Sequence, residues 1–226
     1  MSFKYRVYIF YAIWFIIVLS GPVTIFRNTS FSSIFSNEIL FINILQRLTA
    51  TVAFSLIFIQ IILGSQMDRL VQLIGAKAYK IHISQGLVIY GLVLIHPLFE
   101  NIIVYKVSKS LTDSLLVFIP SFETQREILL VFGRSAFLLA TLAVIAAYFR
   151  TKPFFRRNWR AFHILNYLVF YSVFYHARIG SDLASQPFDS VYWLSLVLVS
   201  GTLVYRFIHP KIVKMKQKRA ILEHNI

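Results

Sequence analysis

The sequence predicts an all-α polytopic membrane bundle of six transmembrane helices, a single transmembrane domain over 1–226 with both termini cytoplasmic. Three observations lead there. Hydrophobic residues make up 58% of the chain and charged residues 14%, against roughly 45–50% and about 25% in soluble domains. The mean hydropathy is +0.69. The charges cluster between long apolar runs instead of being spread through them, the pattern that crossings of about 20 apolar residues impose.

The apolar stretches run 5–26, 39–64, 79–104, 128–149, 160–179 and 190–209. The first begins basic, like a signal peptide, but it has no small-residue cleavage site and carries bulky aromatics, so it reads as a span. The connections set the orientation. The N-terminus, the 65–78 and 150–160 connections, a basic tail over 210–226 and Arg206 just before it hold sixteen of the 23 basic residues, Lys80 at the edge included, against Asp68 and Glu223. The opposite side holds Arg27, Lys106, Lys109, Arg126 and Arg178 against the other seven acids. The positive-inside rule makes the basic side cytoplasmic, in a cell (inner or plasma) membrane. The net charge of +14 then reads as topology and contact with anionic membrane lipid, and nucleic acid is excluded as a partner. The tail is too short for a nucleotide-binding domain.

There is no cysteine. That excludes disulfides, zinc-thiolate sites, iron–sulfur clusters and covalent c-type heme. Any cofactor has to be held by His, Met or oxygen ligands, or by packing.

The residues that carry chemistry are histidines. His82 and His96 lie fourteen residues apart in the third stretch, and His163 and His176 thirteen apart in the fifth. A buried imidazole in a membrane costs free energy unless its nitrogens find partners, and iron is a natural partner for the neutral ring. Fourteen helical residues rise about 21 Å, room for one heme in each half of the bilayer. The third and fifth spans run in the same direction, so like depths pair. His82 with His163 would ligate the cytoplasmic-side heme b, and His96 with His176 the outer one. Two axial imidazoles leave iron six-coordinate, which suits outer-sphere electron transfer. A spacing of fourteen returns within about 40° of the starting face, whereas thirteen misses by about 140°. The fifth span is therefore expected to be tilted or irregular, or loosened at His163. His209 and His224 read as solvated tail residues.

Gly86, one turn past His82, and Gly91 would let a macrocycle approach the third span, or serve helix packing. Pro97 follows His96 directly. Arg47 and Arg134 lie within the second and fourth spans, and Arg178 follows His176 by two residues. Buried arginines need anionic partners. With no intramembrane Asp or Glu evident at that depth, heme propionates are the expected partners of all three, and headgroup snorkelling is the alternative.

Arg47, the run Gly75-x3-Tyr79-x2-His82-x3-Gly86, the dipeptide His96-Pro97, Trp159-x3-His163 and His176 together resemble the transmembrane domain of ferric reductases and NADPH oxidases, over about 39–209. The resemblance implies six helices, two stacked non-covalent b hemes on these four histidines, and electron flow from a cytoplasmic flavin to an acceptor outside. It also implies that Arg47 is an outer-heme arginine. The FAD- and NADPH-binding region that follows the sixth helix in that family is not in this sequence. The chain is thus expected to be an oxidoreductase component, with FAD only where a partner supplies it. The donor would be a cytoplasmic flavoprotein or a quinone, and the acceptor an extracytoplasmic redox partner. A related branch, the heme-binding subunit of the periplasmic methionine sulfoxide reductase system, also lacks that region. It generally lacks a counterpart of His82, so His82 favours the two-heme branch. The alternatives are an obligate relay subunit of a methionine sulfoxide reductase-type system and, less favoured, a non-redox transporter or proton channel.

Overall fold

The computed structural model describes residues 2–224, without the side chains of Arg160 and of most residues from His209 onward; the tail histidines His209 and His224 lie outside the described side chains. Every regular element among the described residues is helical. In chain order they are α1 (Phe3–Asn28), α2 (Phe31–Ile34), α3 (Glu38–Ser65), α4 (Met67–Ile74), α5 (Lys77–Ser108), α6 (Leu111–Leu116), α7 (Gln125–Tyr148), α8 (Pro153–His176) and α9 (Phe188–His224), with 3-10 turns at Ala177–Ile179 and Ser181–Ala184 before α9.

Local chemistry sets the ends. Asn37 accepts from the amides of Ile39 and Leu40 at the start of α3. Thr124 and Glu127 form a reciprocal capping box on α7. Each satisfies amides that the first turn leaves unpaired. Pro153 opens α8, where its missing N–H costs nothing. Gly75, at φ +74°, ends α4 in a conformation open to glycine.

Five helices are long and apolar enough to cross a membrane: α1, α3, α5, α7 and α9 over Phe188–Ile208. The protein is thus a multi-pass helical membrane protein by length and composition. The fifth predicted stretch falls in α8, which is 24 residues long, about 36 Å at 1.5 Å per residue. It misses on apolarity, because Arg160, Asn166 and the two histidines themselves dilute it. One further expectation is corrected. Helix α8 starts at Pro153, ten residues before His163, and is unbroken to His176, so no turn loosens at His163. The span expected over 190–209 and the tail after it form one helix.

Helix α3 is the hub. Twelve of its 28 residues are buried, and it packs against α1, α5, α8 and α9. A side chain on Gly21 of α1 would overlap Thr51 of α3, so this glycine allows the close approach. Phe54, Phe58, Phe170, Phe174 and Tyr192 fill the centre, with Phe174 and Tyr192 stacked at 4.0 Å. A hydrogen-bonded ladder crosses the α1–α3–α5 seam. Trp14 donates to Gln85 Oε1, Gln85 donates to the Leu56 carbonyl and to Gln60 Oε1, and Gln60 donates to the His82 carbonyl, all at 2.7–3.1 Å. Every amide in it is partnered, which is what a low-dielectric interior demands.

Two helix pairs leave a gap between them. Helix α5 packs along α3, and α8 packs along α7, but α5 and α8 scarcely touch each other. Few residues of α5 are buried: Ala78, Gln85 and Ile89. The side of α5 that looks toward α8 is therefore lightly covered, and the histidines reach across that gap.

Candidate functional site

Each histidine of α5 meets one of α8. The His82 and His163 ring centroids are 6.1 Å apart, with the planes at 57°. His96 and His176 are also 6.1 Å apart, with the planes at 78°. The two helices run in the same direction, so one pair lies toward the end that carries Lys77 and Lys80 and the other toward the end that carries Glu100. These are called the first and second pairs.

The separation carries chemical information. Neither pair is hydrogen-bonded ring to ring. With each nitrogen about 1.1 Å from its own centroid and metal–imidazole bonds of about 2.0–2.1 Å, two rings on opposite sides of one metal ion place their centroids about 6.3 Å apart. Both pairs match that to within a few tenths of an ångström. The structure contains pairs, not clusters: among the described residues no group of three or more His, Cys, Asp or Glu could hold a metal. A bis-imidazole site whose remaining ligands come from a macrocycle needs no third side chain.

The second pair is anchored by main chain. Nδ1 of His96 donates to the Gln46 carbonyl of α3 at 3.2 Å. Nδ1 of His176 donates to the Leu129 carbonyl of α7 at 3.0 Å. A carbonyl can only accept, so each ring carries a proton on Nδ1, and the neutral ring then has its lone pair on Nε2. This is the usual outer-shell arrangement of a metal-ligating histidine. Gly133 of α7 is pressed against the His176 ring: a Cβ there would sit 2.7 Å from Nδ1 and 2.8 Å from Cε1. The first pair has a matching glycine on α3. A Cβ on Gly64 would sit 3.2 Å from Cε1 of His82 and 3.4 Å from Nε2 of His163. Trp159, one turn before His163, lies against its ring at 5.2 Å. Nδ1 of His82 is buried and has no hydrogen-bond partner.

These neighbours account for the thirteen-residue spacing. His163 leans against α3 at Gly64, and His176 leans against α7 at Gly133. The rings leave α8 on different sides because different helices back them, so a regular helix suffices and no irregularity is needed.

The supporting residues divide. Arg47 does not wait for an anion: its Nε and Nη2 grip the carboxylate of Asp182 at 2.7 and 2.5 Å, and its Nη1 reaches Thr29. The expectation that no carboxylate lies at that depth fails, because the 3-10 turn before α9 folds Asp182 inward, 5% exposed. Arg134 gives Nε and Nη2 to the Val117 carbonyl at 3.1 and 2.5 Å, and its Nη1 is buried without a partner. Arg178 is exposed in the 3-10 turn and makes no ion pair among the described residues. Gly86 faces Gln60 of α3, where a Cβ would stand 3.1 Å from Nε2, and not the α5–α8 gap. Gly91 faces open space.

Several residues at the site escaped the sequence reading. Glu100, one turn past His96, accepts from Gln46 at 2.8 Å and pairs with Arg126 at 3.3 Å, tying α3, α5 and α7 around the second pair. Gly64 and Gly133 look in sequence like any helical glycine. The i+4 spacing of His96 and Glu100 was the one signal available.

Comparison with protein-family models, with curated proteins and with solved structures found nothing that matches this chain.

Proposed function

We propose that the protein is a membrane cytochrome b of the ferric reductase type, which carries electrons across the bilayer through two non-covalent b hemes. His82 and His163 hold one, and His96 and His176 the other. The observation that carries this reading is the recurrence, at two depths between the same two helices, of an imidazole pair at a metal-sharing separation of 6.1 Å.

The donor set fits the group. The Nδ1 protons of the second pair are committed to carbonyls, glycines flank both pairs, and the helices between which a macrocycle would lie do not close on each other. Bound heme supplies a reversible one-electron iron couple. The chain's own residues do the rest. The four imidazoles fix the ligand field, and the unpartnered Nη1 of Arg134 is available to an anionic substituent. Ile89 and Phe170, midway between the pairs along α5 and α8, belong to the apolar core beside them.

On this reading α8 is a sixth crossing, because it passes from the depth of His82 to the depth of His96 alongside α5. An even number of crossings then leaves both termini on the basic, cytoplasmic side. The donor is a cytoplasmic flavoprotein or a quinone, and the acceptor lies beyond the second pair.

The test is a heme count on the purified full-length chain by pyridine hemochrome, with a reduced-minus-oxidised spectrum. Two b hemes per chain are expected. His96→Ala and His82→Ala should each remove one. A chain without a b-type spectrum overturns the proposal. Rapid reoxidation of reduced protein by ferric chelate would mark a reductase with its own acceptor. Reoxidation only by an extracytoplasmic oxidoreductase would mark a relay subunit.

A further inference from the structure

We infer that residues 111–119, in the connection between α5 and α7, form a re-entrant anchor immersed at the membrane boundary, with phospholipid acyl chains as its partner. The inference concerns the end of the bundle that carries Glu100, and it stands whatever the histidines bind.

The chain turns at Lys109, and α6 comes back beside α5. Asn101 donates to the Ser114 carbonyl at 2.6 Å and accepts from Ser114 Oγ at 2.7 Å, and Ser114 is buried. Asn101 stands seven residues before the end of α5 at Ser108, about 10 Å down its axis at 1.5 Å per residue. On the other side Arg134 donates to the Val117 carbonyl. It lies nine residues beyond Gln125, where α7 starts, or about 13 Å along that helix. The segment is thus held below the ends of both spans it joins.

Its main chain suits lipid. A six-residue helix leaves its last carbonyls without helical partners, and at an aqueous surface water would satisfy them. Here protein groups do so. Ser114 accepts from Asn101, Leu115 from the Phe118 amide, Leu116 from the Ile119 amide and Val117 from Arg134. Internal pairing of this kind is what a hydrocarbon boundary requires. The outer face suits lipid as well. Leu111, Leu115, Leu116, Phe118 and Ile119 are 46–65% exposed. Asp113, in the first turn, is the one charge between positions 110 and 122. This apolar face stands at the level of exposed Leu98 and Ile102 of α5, and it extends the surface that the span presents to the bilayer.

The experiment reconstitutes the full-length chain in phosphatidylcholine vesicles with a nitroxide on single cysteines, which the native sequence lacks. Leu115→Cys, Phe118→Cys and Ile119→Cys place the probe on the segment. Glu123→Cys, exposed ahead of α7, and Leu138→Cys, exposed within α7, give the aqueous and mid-span references. Power saturation reads collision with oxygen, which concentrates among acyl chains, and with a water-soluble nickel chelate. The oxygen-to-nickel ratio should be several-fold higher at 115, 118 and 119 than at 123, and higher still at 138. Ratios equal to that at 123 would reveal a face left for water or a soluble protein and overturn the inference. Low collision with both reagents would reveal cover by a second copy and overturn it too. Should the cysteines disturb the fold, the native chain can be cross-linked by a phospholipid with a photoreactive group near the carbonyl end of its acyl chain. Adducts mapped to 111–119 support the anchor, and adducts on α5 and α7 with none there overturn it.

Discussion

A methyl group at Gly133 would sit 2.7 Å from Nδ1 of His176, closer than real Cβ contacts come. The ring cannot retreat without breaking its bond to the Leu129 carbonyl. Gly133→Val should therefore cost about 1–3 kcal/mol, the usual penalty for overpacking. It should also remove the second-pair heme while keeping the first, visible as one heme per chain and a lower melting temperature. The same substitution at Gly91, which faces open space, should leave the heme count unchanged. This contrast shows where sequence reading stops. His82, His96, His163 and His176 were legible because an imidazole in an apolar run is costly. Gly133 and Gly64 were not, because a helical glycine announces nothing until the ring against it is known. Gly86 drew notice by standing one turn from His82, yet it serves Gln60.

At the scale of elements, the pieces that fix the bundle are polar bonds between helices. Arg47 of α3 and Asp182 of the 3-10 turn form a two-point ion pair, with side chains 22% and 7% exposed, and Asn28 at the end of α1 also donates to Asp182. Removing one partner leaves a desolvated charge behind. Asp182→Asn and Arg47→Met should each destabilise by about 2–4 kcal/mol, and the double variant by less than their sum, with a coupling of about 1–3 kcal/mol. Thermal melts of the four proteins measure this. If Arg47 were instead held mainly by an anionic cofactor, the coupling would vanish. In the α1–α3–α5 ladder, Gln85→Leu strands Trp14 Nε1 and Gln60 Oε1. It should cost about 1–3 kcal/mol, read in the same melts, and the unaltered chain sets the reference. The lengths of α1, α3, α5 and α7 were readable within a few residues, because apolar runs mark them. The pairing of Arg47 with Asp182 was not, because 135 residues separate them and only tertiary folding brings the turn inward. The angular mismatch along α8 is real, yet it demands no irregular helix. Rotation along one helix does not say which neighbour backs each side chain.

At the scale of the whole molecule, orientation rests on charge and on whether α8 crosses. Composition alone leaves α8 ambiguous, since the polar residues that make it a candidate ligand helix also keep it from the apolarity of the other five. On the proposed reading its partners set its depth: His163 meets His82 and His176 meets His96, so it would traverse the same interval as α5. The absence of cysteine makes this directly measurable with single-cysteine variants at exposed connections. Glu123→Cys precedes α7, Thr151→Cys lies between α7 and α8, and Ala184→Cys lies between α8 and α9, all at exposed positions. On intact cells an impermeant maleimide should label positions 123 and 184 and spare 151, which should react only after the membrane is opened. Labelling of 184 together with 151 would mean that α8 lies along one face and does not cross. The two histidine pairs could not then stand at different depths, and the basic surface would no longer mark a single side of the membrane.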